Sequence, residues 1–113
     1  MTPAEQKRSL SRLVSLAEVL LDARLAALHR AAEARNASLA RLADLDRPAS
    51  PRDLPEIAAM EVQMRYQRWA DQKRSDINLT LAQQTASWLD ARAEAARAFG
   101  KSQALAGLSR KGE

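Results

Sequence analysis

Pro48, Pro51 and Pro55 stand within eight positions of one another, and the only other proline in the chain is Pro3. A proline lacks the backbone N–H that a helix interior needs, and it pushes the residue before it towards extended conformations. No regular helix passes through DRPASPRDLPE, residues 46–56. On either side there is little else to interrupt one. Glycines number 3 in 113 residues, and Ala, Leu, Arg, Gln and Glu, the strong helix formers, fill residues 4–46 and 56–99. The sequence predicts an all-α chain of two long helices.

Both helix starts carry a cap signature. Thr2-Pro3-Ala4-Glu5 places a hydroxyl at the N-cap, proline at the first helical position and a carboxylate at the third, so that two backbone donors are satisfied reciprocally. Asp53-Leu54-Pro55-Glu56 repeats the logic. Helix 1 is expected over about 3–46, the proline-rich turn over 47–54 and helix 2 over about 55–106. Gly107 followed by Leu108 resembles a Schellman stop, and 109–113 reads as a flexible tail.

Within helix 1, apolar or small residues recur three and four apart at Leu10, Val14, Ala17, Leu21, Leu25, Leu28, Ala32, Leu39 and Leu42, with Arg35 the one interruption. The helix 2 stripe runs Ile57, Met60, Met64, Gln67, Ala70, Arg74, Ile77, Leu81, Gln84, Trp88, Ala91, Ala95, Ala98, Ser102 and Leu105. The reading is one domain over 1–108, a long two-helix antiparallel coiled-coil hairpin on the order of 65 to 75 Å long. With a short turn, residues whose numbers add to about 100 would face each other. Trp69 would then lie opposite Ala31 and Ala32, Trp88 opposite Leu13, and Leu81 opposite Leu20, leaving the segment after about Ala98 overhanging.

Much of the 46% hydrophobic content is alanine, which buries little area, so the core between two such helices is thin. A homodimer forming a four-helix bundle, which would cover Trp69, Met60 and Met64, is the alternative state of association. Lys and Arg outnumber Asp and Glu by 18 to 14 and the isoelectric point is about 10.1, so attraction to nucleic acid is physically available. The surplus is modest and the signs are interleaved, which makes dedicated nucleic-acid binding the lesser expectation. Cysteine is absent, excluding disulfides and thiolate metal sites. No apolar run approaches the ~20 residues of a membrane span, and MTPAEQKRSL lacks the apolar core of a secretory signal. A cytoplasmic protein is expected.

His29 is the single histidine, and no second ligand type converges on it at helical spacing, so neither a metal nor a general-base role is expected. Glu18, Asp22, Asp71, Asp76 and Asp90 each stand about a turn from an Arg or Lys and read as ion pairs on solvated faces. With no glycine-rich phosphate loop and no nucleophile–base constellation, no catalytic residue and no cofactor are expected. RYQRWADQKR, residues 65–74, stands out instead. Tyr66 and Trp69 form an aromatic strip that one facing helix only half covers, rimmed by cations. Such a strip suits a protein interface better than a nucleic-acid platform, which needs several stacking rings in a basic groove. In the structural alternative Trp69 flanks the seam and covers the backbone of helix 1; in the functional one the candidate partner-binding residues are Tyr66, Arg68, Trp69 and Lys73.

SRLVSLAEVLLDARLAALHRAAEARNASLARLADL in helix 1, the short connection, and RYQRWADQKRSDINLTLAQQTASWLDARAEAARAFGKSQAL in helix 2 together resemble the FliJ/YscO group of flagellar and type III secretion proteins. These are small basic antiparallel coiled coils, and the resemblance covers about two thirds of the chain by composition and architecture. It implies a rigid stalk whose joined N- and C-terminal end enters a ring-shaped export ATPase and whose middle contacts the export gate. On the expected hairpin geometry, Lys7, Arg8 and Arg12 of helix 1 with Arg92, Arg97 and Lys101 of helix 2 form the ATPase-facing end. The chain is shorter than the family's pattern.

Overall fold

The computed structural model describes residues 2–47 and 54–112. The cap expected at Asp53 and the prolines at 48 and 51 lie outside the described residues. Two helices, α1 over Pro3–Leu45 and α2 over Glu56–Lys111, account for nearly all of the rest, in the order of a helical hairpin. The Thr2 cap forms as its residue types require. The Thr2 N–H donates to Glu5 Oε2 and the Glu5 N–H to Thr2 Oγ1, both at 3.2 Å.

The chain divides into two compact units, one of Met1–Ala32 with Ser87–Glu113 and one of Glu33–Ala86. In the second unit, Arg35 Nε donates to Thr85 Oγ1 and Ser38 Oγ to Gln84 Oε1. Arg74 reaches the Leu45 carbonyl and the Asp46 carboxylate from α2. Leu45, Ala70 and Ile77 form its buried cluster, with Leu42 and Tyr66 packed against it. In the first unit, Leu25, Leu28 and Ala32 lie with Trp88, Arg24 with Glu94 at 4.0 Å, Leu20 with Ala98 and Lys101, and Pro3, Lys7 and Leu10 with Ser109 and Gly112. Partner numbers on α2 fall as those on α1 rise, and each pair adds to about 119 rather than about 100.

This shift overturns the expected pairings. Trp88 lines a groove with Leu25 and Leu28 and not with Leu13, and Leu20 lines one with Ala98 and not with Leu81. The overhang changes ends. The segment after Ala98 packs along the start of α1, while the first three or so turns of α2, Glu56 to Tyr66, extend beyond Leu45, the last helical residue of α1. A chain from Leu45 to Glu56 reaches at most about 35 Å, which is long enough to let α2 begin well past that point. The displaced register matches polar seam positions to one another. Arg35 finds Thr85 and Ser38 finds Gln84, so Arg35 of the first stripe and Gln84 of the second each have a polar partner on the other helix. Among the described residues no buried side-chain polar atom lacks a partner, as burial demands.

The stripes change accordingly. Ile57, Met60, Met64 and Gln67 are exposed, and the inward face of α2 there runs through Ala59, Gln63, Tyr66 and Ala70. On α1, Ser38 is buried where Leu39 was expected, because its small side chain lets Gln84 approach. Gly107 does not end α2. The helix continues to Lys111, no described glycine has a positive φ, and Ser109 lines a cavity with Pro3 and Lys7 in place of the expected tail.

Candidate functional site

Tyr66 and Trp69 lie on adjoining flanks of α2 and behave differently. Tyr66 faces inward, its single hydroxyl proton shared between the carbonyls of Leu45 at 3.2 Å and Arg47 at 3.3 Å. Trp69 faces outward and is 51% exposed. Their ring centroids are 5.8 Å apart with planes tilted by 41°, within the range in which aromatic pairs attract. The anchored Tyr66 therefore fixes one edge of Trp69 while the rest of the indole meets solvent. At spacings of three, four and four, Val62, Arg65, Trp69 and Lys73 line one face of α2, and all four are exposed. Arg68 is also exposed but points about 100° round the helix from Trp69. Of the expected patch, Trp69 and Lys73 share a face, Tyr66 serves as its anchor, and Arg68 belongs to the next face round. Val62 was missed because a valine just outside a heptad stripe carries no signal until the register is known.

The six cations expected at the joined end are all in the first unit but at two levels. Lys7 lies beside Ser109 and Gly112, and this register carries Arg8 and Arg12 with it, towards Arg110 and Lys111 of α2. Lys101, Arg97 and Arg92 stand roughly 9 to 22 Å before Gly107 along α2, among carboxylates. Arg97 pairs with Glu94, which also meets Arg24, and the Arg92 guanidinium sits 5.8 Å from the Trp88 ring centroid. Glu94 is held below the ordinary glutamate value, first by its hydrogen bond from Arg97, then by the charge of Arg97, with Arg24 and Lys101 adding to the effect against desolvation. The cationic end is Lys7, Arg8 and Arg12 with Arg110 and Lys111, two residues that sequence reasoning assigned to a tail.

His29 lies in a shallow groove with Leu25, Leu28, Ala32, Trp88 and Arg92. No group of three or more His, Cys, Asp or Glu residues able to hold a metal occurs among the described residues, and no described helix is long and apolar enough to cross a membrane. Large apolar side chains are exposed on both helices, among them Leu13, Leu16, Val19 and Leu20 on α1 and Ile57, Met60, Met64 and Trp69 on α2.

The chain matches no protein-family model, no curated protein and no solved structure.

Proposed function

We propose that the protein is a non-enzymatic antiparallel coiled-coil hairpin that works in the cytoplasm as a stalk or adaptor, in the manner of a flagellar or type III export accessory docking on a ring ATPase and an export gate. The observation that carries this reading is Trp69, an indole held half exposed beside an anchored tyrosine and flanked on one helix face by Val62, Arg65 and Lys73. Tryptophan and arginine dominate binding energy at protein interfaces when they are pre-organised, and Tyr66 supplies that pre-organisation. The cationic end at Lys7, Arg8, Arg12, Arg110 and Lys111 supplies a second contact of opposite character, suited to an acidic ring surface by long-range attraction.

The test is an affinity capture of the full chain from its host at near-physiological salt with nuclease present, beside Trp69→Ala and a Lys7→Glu/Arg8→Glu/Arg12→Glu variant. The stalk reading expects an export ATPase or gate component that is lost with one variant or the other while helicity is unchanged. Equal loss of helicity and capture in Trp69→Ala would return that residue to a structural role. The cationic end also favours a second reading, a helical protein associated with nucleic acid through phosphate contacts. Steep loss of binding between low and physiological salt marks that reading, whereas a protein partner seated on Trp69 is less sensitive.

A further inference from the structure

The first turns of α2 carry a second exposed apolar face, on the side of the helix away from Trp69. Ile57, Met60 and Met64 are 79%, 60% and 56% exposed. Taking Ile57 as position a of a heptad makes Met60 d, Met64 a and Gln67 d, an a/d seam of three apolar positions followed by a glutamine, while Val62 and Trp69 fall at f, on the opposite side. Because this segment extends beyond Leu45, α1 offers it no facing helix.

The charges beside that seam distinguish between occupants. Glu56 takes g, Glu61 takes e and Arg68 takes e, all exposed. In a parallel pair of this segment, g faces e of the other copy, setting Glu56 against Glu61. In an antiparallel pair, e faces e, setting Glu61 of each copy against Arg68 of the other, twice by symmetry. The same arrangement stacks Met60 on Met64 in two central layers and Ile57 on Gln67 in the outer two. By contrast, the exposed stripe Leu13, Leu16 and Leu20 of α1 is flanked by Arg12 and Arg24, of one sign, and lacks this self-complementarity.

We propose that the Ile57–Met60–Met64 face of α2 is an antiparallel self-association site, occupied by the same segment of a second copy with Glu61 and Arg68 as its charge lock. Four layers make a short interface, so association belongs to the weak class. The Trp69 face stays outward in the pair, and a dimer could therefore present two copies of it.

Sedimentation equilibrium of the full chain from about 10 to 500 µM tests this, a range chosen for a small interface. The weight-average mass of the native protein is expected to rise from one chain towards two. Met60→Glu/Met64→Glu is expected to remain monomeric throughout, with unchanged circular dichroism because both side chains already meet solvent. Glu61→Arg and Arg68→Glu should each weaken association about ten-fold, and the double reversal should restore it, as e-position charges select partners. The proposal is overturned by a native protein that stays monomeric, by a dimer that survives Met60→Glu/Met64→Glu, or by a double reversal weaker than either single one. A variant that failed to fold would leave the charge reversals as the deciding series. None of these outcomes depends on the export reading, which is read from Trp69 and the cationic end.

Discussion

The Tyr66 hydroxyl donates to the Leu45 carbonyl at 3.2 Å, so a side chain of α2 closes the last turn of α1. It satisfies an acceptor that helix geometry leaves without an intrahelical donor, and it sets the point from which α2 extends on its own. Arg74 donates to the same carbonyl at 3.3 Å and pairs with Asp46 at 3.2 Å. The C-terminus of α1, which has no basic residue in its final turn, thus takes its cation from the other helix, as the helix dipole favours.

Tyr66→Phe keeps the ring beside Trp69 and removes the hydroxyl that Leu45 and Arg47 share. A loss of about 1 kcal/mol is expected, lowering the melting midpoint by roughly 4 °C. Thermal unfolding followed by circular dichroism measures it, and an unchanged midpoint would show that water replaces the tyrosine at no cost.

Ser38 is 3% exposed and its hydroxyl donates to Gln84. Gln84→Leu strands that hydroxyl and should cost about 1–3 kcal/mol, whereas Ser38→Ala/Gln84→Leu removes both polar partners and should recover most of the loss. A double-mutant cycle in urea reads the difference directly. Additive losses would mean that the two residues do not interact.

Gly100 and Gly107 lie inside α2, and a Cβ added at either would meet nothing within 4 Å. Replacing each with alanine removes backbone freedom from the unfolded chain without a clash, and should stabilise by about 0.5–1 kcal/mol per site. A raised melting midpoint for Gly107→Ala is the outcome expected if α2 continues through that position. A lowered one would mean that the chain turns there.

Glu94 has a carboxyl held below its ordinary value of 4.5 by Arg97. A folded-state value below the unfolded one means that the stability it contributes is complete above 4.5 and is lost as the pH falls through the folded value. The native protein should therefore lose more of its melting midpoint on acidification below 4.5 than Glu94→Gln does, with the two profiles parallel at neutral pH. Matching acid profiles would remove Glu94 from the pH response.

The all-α fold and the start of α1 were legible because their causes are local, whereas the end of α2 was not, since the helix runs on through Gly107 to Lys111. Three clustered prolines interrupt the chain, Thr2 and Glu5 cap α1, and Leu, Ala, Arg and Glu sustain the rest. The aromatic patch was legible in part, since Tyr66 and Trp69 stand three apart whatever surrounds them. Which one turns inward was not, because that depends on whether α1 still runs beside them.

What the sequence by itself determined, then, is two long helices with an apolar stripe on each. Only the tertiary structure decided how far one slides along the other. Heptad stripes rich in alanine and leucine fit their neighbour almost equally well when moved by a heptad or more, so the choice falls to the few side chains that are not interchangeable. Arg35 meets Thr85, Ser38 meets Gln84, and Tyr66 and Arg74 converge on Leu45. Burying such groups is costly unless they meet, and the register that satisfies them also exposes Ile57, Met60, Met64 and Trp69 and brings the helical C-terminus back beside Lys7.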